Sequence, residues 1–102
     1  MAKLTQAALD AEHAAALYCI ELEQRRSVEV GGNTVSGNSL AYSIRNTTPR
    51  RRRMIGNRLI RRFRKDTNNP TGSIDWNAFG EWLKENMLPI IKILLTILLM
   101  FI

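Results

Sequence analysis

The residues in this chain best equipped for chemistry are its arginines. Arg50, Arg51, Arg52, Arg53, Arg58, Arg61, Arg62, Arg64 and Lys65 fall within sixteen consecutive positions. Counted from Arg45, ten of the 15 basic residues lie in a stretch without a single Asp or Glu. The formal charge of +6 is therefore a local +10 set against a mildly acidic remainder. Guanidinium groups bond phosphate bidentately and keep their charge at any physiological pH. Ten like charges with no carboxylate among them repel one another unless something neutralises them, so a plain solvated face is the weaker reading. Two phosphate-bearing partners fit. One is nucleic acid, with Arg50 to Arg53 as a flexible arm and the following helix along the backbone. That binding is salt-sensitive and sequence-indifferent, because no recognition helix or stacking motif accompanies the charge. The other is an anionic lipid surface, into which Ile55, Leu59 and Phe63 dip while the arginines meet headgroup phosphates.

Acid–base and metal chemistry find little material. His13 is the only histidine and Cys19 the only cysteine, so no intrachain disulfide and no Cys-rich metal site can form. Cys19 sits in Ala-Leu-Tyr-Cys-Ile and reads as a small buried hydrophobe. Asp10 and Glu12 do not share a helix face, and Glu81 with Glu85 reads as a solvated pair beside Lys84. The glycines at 31, 32 and 37 match neither the phosphate-loop nor the dinucleotide-binding spacing. The expectation is a protein that is not an enzyme and carries no cofactor.

The second strong signal is hydrophobic. Leu88 to Ile102 holds fifteen residues, of which only Lys92 is charged and Thr96 polar. A helix apolar on every side needs lipid or a surrounding protein core. Fifteen helical residues span about 22 Å, short of the roughly 30 Å of bilayer hydrocarbon. The preceding segment must then contribute, or insertion stays shallow. The expected membrane-contacting residues are Trp76, Phe79, Trp82, Leu83, Ile90, Ile91, Leu94, Leu95, Leu98 and Phe101. The two tryptophans suit an interface and Lys92 can extend toward headgroups. Met-Ala-Lys-Leu-Thr-Gln at the start does not read as a secretory signal.

Elements must position these groups, and the patterning predicts a mainly α-helical fold. Leu4, Ala8, Ala11, Ala15, Tyr18 and Leu22 are spaced as one stripe of an N-terminal helix. The stripe is narrow and rich in methyl groups, suited to docking another helix, a second copy or the chain's own hairpin. Val28 to Val35 flanks a Gly-Gly-Asn turn and reads as a short β-hairpin. Ser39 to Asn46 fits a strand or a helical turn equally well, and Thr47-Thr48-Pro49 ends it. Ile55, Leu59, Ile60 and Phe63 then recur at helical spacing among the arginines, giving a basic amphipathic helix of about three turns weakened by Gly56. Asp66 to Gly72 is a polar linker, and Ser73 is the expected N-cap of a Trp-bearing helix that continues past Pro89 into an apolar one. The expected organisation is a helix-plus-hairpin region (1–48), an Arg-rich segment (49–65), a linker (66–73) and a membrane-associating segment (74–102).

The order helix, short hairpin and Arg-rich stretch resembles the arrangement of small phage head-to-tail connector proteins over about half the chain. That resemblance carries over no site residue and leaves the apolar tail unexplained. Taken together, the residues predict a small membrane-associated structural protein, with an inserted tail anchor and arginines bound to nucleic-acid or lipid phosphates. A minor virion component fits this description. The positive-inside tendency places the basic segment on the cytoplasmic or virion-interior side. Homo-oligomers or a larger assembly are expected. The alternatives are a lysis-type, membrane-disrupting effector and a soluble assembly subunit whose tail is buried between neighbours.

Overall fold

A computed structural model describes residues 4–25, 28–30 and 33–86. The described chain is mainly helical, as the patterning predicts. Helix α1 spans Gln6–Glu23, strands β1 Val28–Val30 and β2 Asn33–Val35 follow, then α2 Gly37–Arg45 and α3 Pro49–Asp66. A further helix, α4, occupies 76–86. The strands pair antiparallel with Val28 opposite Val35 and Val30 opposite Asn33. That register leaves Gly31 and Gly32 as the connecting residues, the two-residue spacing that glycine pairs favour. The expected apolar continuation at Ile90, Ile91, Leu94, Leu95, Leu98 and Phe101 lies outside the described residues.

Each helix start has a local chemical cause. The Thr5 side chain accepts from Ala8 N–H at 3.1 Å and begins α1. Ser36 does the same for α2, and the segment 39–46 that fits either class is helical because that cap precedes it. Thr48 caps α3 by accepting from Arg51 N–H at 3.2 Å, and Pro49 sits in the first turn, where its missing N–H costs nothing. Helix α3 therefore begins before the arginine run. Arg50 to Arg53 form its first turn and not a flexible arm. At α4 the cap is Asp75 in place of Ser73. One Asp75 carboxylate oxygen accepts from Asn77 N–H and Ala78 N–H at 3.1 and 3.2 Å. A carboxylate at a helix N-terminus also answers the macrodipole.

The core is one cluster drawn from all four helices. It includes Tyr18, Cys19 and Leu22 of α1, Ala41 and Ile44 of α2, Ile55, Leu59, Ile60 and Phe63 of α3, and Phe79, Trp82 and Leu83 of α4. The small-residue stripe of α1 finds its partner within the chain. Ala11, Ala14 and Ala15 are buried, and Gly56 of α3 lies directly against Ala11. Gly56, read from the sequence as a weak point in the helix, is where α1 and α3 approach most closely in backbone terms. Gly37 plays a similar part at the start of α2, where a Cβ would stand 2.0 Å from the Leu22 carbonyl oxygen.

The 66–73 segment is tied down at both ends of its first turn. Asn68 adopts φ 53°, a left-handed conformation that asparagine tolerates after a helix end, and Asn69 N–H bonds the Arg64 carbonyl at 3.0 Å. The Arg64 guanidinium reaches back to the Asn69 and Gly72 carbonyls at 3.4 and 2.9 Å. Gly72 at φ 96° supplies the reversal that sends the chain toward α4.

Candidate phosphate-binding face

Helix α3 has one apolar face, and the core takes all of it. Ile55, Leu59, Ile60 and Phe63 are buried together with Gly56. The apolar row expected to enter a headgroup layer is thus packed within the fold, against α1 at Gly56 and α4 at Phe63. The opposite face is left to solvent. Arg50, Arg58, Arg61 and Lys65 are exposed there, and none has a hydrogen-bond or ion-pair partner among the described residues. At 100° per residue these four side chains fall within about 80° of arc, over a length of about 22 Å. Arg51 and Arg62 flank them. No carboxylate lies on this strip, because α3 carries its only acid, Asp66, at its last position.

The remaining arginines of the run are engaged inside the fold. The Arg52 guanidinium donates to the Arg45 and Thr47 carbonyls at 3.2 and 2.7 Å, neutralising the carbonyl end of α2. Arg53 pairs with Glu12 of α1 at 3.5 Å. Arg64 holds the loop that follows, and Arg45 pairs with Glu23. Of the nine phosphate-binding candidates read from the sequence, the structure aligns Arg50, Arg58, Arg61, Arg62 and Lys65 on the outer side. It turns Arg52, Arg53 and Arg64 to other work, and Arg51, half-buried, borders the strip. Spacing alone carries that distinction in part: positions 50, 58, 61 and 65 are separated by 8, 3 and 4, while 53 and 64 lie on one flank of the buried row and 52 continues that row toward the helix start.

Arg58, Arg61, Arg62 and Lys65 also line an open depression of about 330 Å³. Four cations around a shallow hollow offer hydrogen-bond donors of the kind phosphate oxygens accept, and guanidinium is the better donor because its fork is planar and weakly hydrated. The nearest counter-charge is Asp66. It pairs with Arg62 at 3.6 Å through one oxygen and accepts from the Trp82 indole N–H at 2.9 Å through the other.

The aromatic residues of α4 occupy a different place from the one their type suggests. Trp76, Phe79, Trp82 and Leu83 do share one face, and that face is turned inward. Phe79 and Leu83 are fully buried and Trp82 is 7% exposed. Phe63 meets Phe79 and Trp82 edge to face, at centroid separations of 5.2 and 5.6 Å. Trp76 meets His13 at 4.4 Å, which ties α4 to α1 and gives the single histidine a packing partner. Phe79, Trp82 and Leu83 belong to the core and Trp76 packs partly buried against it, in place of the lipid contact expected of them. Among the described residues no helix is long and apolar enough to cross a membrane.

Two titratable groups are buried away from this face. Burial pushes the Tyr18 phenol well above its ordinary value of 10.0, and its hydroxyl has no partner among the described residues. Burial also raises the Cys19 thiol above 9.0, against the smaller opposing influence of Arg45 and Arg52. A raised thiol pKa means less thiolate and less reactivity. No group of three or more His, Cys, Asp or Glu suited to a metal ion occurs among the described residues. Comparison with family models, curated proteins and solved structures finds no match to this chain.

Proposed function

We propose that this is a small, non-enzymatic, membrane-associated structural protein. Its helical domain presents a phosphate-binding face, and its apolar C-terminal segment inserts in or on a membrane. The observation that carries the reading is the alignment of Arg50, Arg58, Arg61 and Lys65 on one exposed strip of α3 with no partner among the described residues. A rigid row of uncompensated cations is a poor contribution to stability, since like charges along a helix face repel. It is an effective collector of phosphates, nucleic-acid or lipid, because each contact releases bound counterions or meets a negative surface potential. The fold supports this by holding the row straight, with α3 fixed to α1 at Gly56 and to α4 at Phe63.

The membrane half of the reading rests on Leu88 to Ile102, where one charge occurs in fifteen residues. Pelleting of the full chain with membranes after alkaline carbonate washing, lost on deletion of Pro89 to Ile102, is the expected outcome. A full chain that stays in the soluble fraction as a defined oligomer would replace this reading with that of an assembly subunit. Rapid dye leakage from cells making the protein would point to a lysis-type effector. Retention of anionic-ligand binding after replacing Arg50, Arg58, Arg61 and Lys65 with Gln would remove the role assigned to α3.

A further inference from the structure

The basic face and the apolar run of the sequence are linked through α4, whose described end at Asn86 is two positions before Leu88. Phe63 packs on Phe79, and three residues later Asp66 accepts a hydrogen bond from Trp82. The last turns of α3 and α4 therefore run side by side in the same sense. Trp82 and Leu88, the first residue of the apolar run, are six positions apart. Six residues span at most about 20 Å in any conformation. Lys65 and Arg62 sit within one turn of Asp66, whereas Arg50 is sixteen positions, or about 24 Å of helix, further away. One more cation lies near this end: Arg25 of α1 donates to the Lys84 carbonyl at 3.2 Å.

We infer that Arg61, Arg62 and Lys65, with Arg58 behind them, bind the phosphates of anionic lipid headgroups at the membrane that the apolar segment enters. This rests on the membrane reading given above and adds to it the identity of the phosphate. One observation favours lipid over nucleic acid. The hollow lined by these four cations is on the last turns of α3, beside the last turns of α4, and the apolar run begins two positions after the last described residue of α4, so a bilayer entered by that run would meet this end of the face. Asp66 is held by Arg62 and the Trp82 indole, which bears equally on a phosphate of either source. The contact is electrostatic and peripheral, because Ile55, Leu59 and Phe63 are committed to the core and have no part in it.

The test is partition of the full chain, diluted from detergent, into vesicles of phosphatidylcholine alone and of phosphatidylcholine with phosphatidylglycerol. Two variants with matched charge loss are compared, Arg61→Gln with Lys65→Gln, and Arg50→Gln with Arg51→Gln. The first pair is exposed and unpaired among the described residues, so its unfolding midpoint should equal that of the unaltered chain. In anionic vesicles its partition coefficient should fall roughly 30-fold, corresponding to about 1 kcal/mol for each cation near the surface. The second pair, set farther from the bilayer, should lose clearly less. In neutral vesicles the unaltered chain and both variants should partition alike. Equal losses from the two pairs, or partition indifferent to phosphatidylglycerol, would overturn the inference. So would loss of duplex DNA binding by the first pair with vesicle partition unchanged, which would make nucleic acid the occupant. A full chain that enters neither vesicle would instead show the membrane reading itself to be mistaken.

Discussion

The backbone of Gly56 in α3 rests on the backbone of Ala11 in α1. A Cβ placed at position 56 would stand 1.8 Å from the Ala11 carbonyl oxygen and 2.8 Å from its Cα. Nothing at this contact is a flexible side chain able to swing aside. Helix propensity alone favours Gly56→Ala by about 1 kcal/mol. Overpacking costs typically about 1–3 kcal/mol and more where backbone must move. The clash wins. Gly56→Ala should lower the stability of the full chain by about 1–3 kcal/mol, read as a fall in the urea midpoint. An equal or higher midpoint would contradict the crossing described here.

Tyr18 makes a different prediction, because its ring is wanted in the core and its hydroxyl is not satisfied there. The residue is fully buried, and the hydroxyl has no hydrogen-bond partner among the described residues. An unsatisfied buried polar group costs about 1–3 kcal/mol, so Tyr18→Phe should be neutral or stabilising by about 1 kcal/mol. Its pH dependence follows from the raised phenol pKa. Above pH 10 the unfolded chain loses the phenolic proton while the folded chain keeps it, so the folded state binds more protons and stability falls as pH rises. Below pH 10 the effect is absent. Tyr18→Phe should therefore flatten the alkaline limb of a stability profile, and leave the neutral region unchanged in shape. A mutant profile as steep as that of the unaltered chain would rule this out.

Cys19 should behave as a structural thiol. It is 1% exposed, its Sγ lies 3.9 Å from the Ala41 carbonyl oxygen, and burial holds its pKa above the usual thiol value. Both thiolate fraction and access are therefore low. A maleimide added at neutral pH should label the folded chain only at the rate at which the α1–α2 contact opens. Labelling should accelerate by orders of magnitude in denaturant. Rapid labelling without denaturant would show that α2 does not cover this position.

The link between Trp82 and Asp66 tests the packing of α4 on α3. Trp82→Phe keeps an aromatic ring against Phe63 and removes the 2.9 Å bond to a carboxylate. The carboxylate is about one-third exposed and can recover water as a partner. The expected cost is about 1 kcal/mol, below the range for fully buried charged hydrogen bonds. Trp82→Ala should cost about 3–5 kcal/mol through the lost ring. Denaturant midpoints of the two variants separate the hydrogen bond from the packing, and equal midpoints would show that the ring is not part of the core.

Much of the helical content is legible in local chemistry. Thr48-Pro49 is an N-cap followed by a proline suited to a first helical turn, and it signals that α3 begins before Arg50. Reading the arginines as an arm overlooks that pair. The helical outcome at 39–46 turns on Ser36, three positions before that segment begins. Asp75 outcompetes Ser73 because its carboxylate reaches two amide donors and meets the helix dipole with a full charge.

By itself the sequence determines where charge and hydrophobicity reside along the chain, because both are properties of residue type and order. It places ten cations together, gives α3 a period that segregates apolar from basic positions, and concentrates apolar residues after position 87. Only the tertiary structure decides what each face meets. Periodicity shows that Phe79, Trp82 and Leu83 share a side, and it is equally satisfied by lipid or by protein. Their burial against Phe63 depends on contacts between residues sixteen or more positions apart, which no local pattern encodes. The same holds for Gly56, whose missing side chain weakens a helix considered alone and makes room for Ala11 once α1 is beside it. It holds too for the arginines, which have one composition and two fates. Arg52, Arg53 and Arg64 lie near elements that use them, while Arg50, Arg58, Arg61 and Lys65 are exposed on the opposite strip.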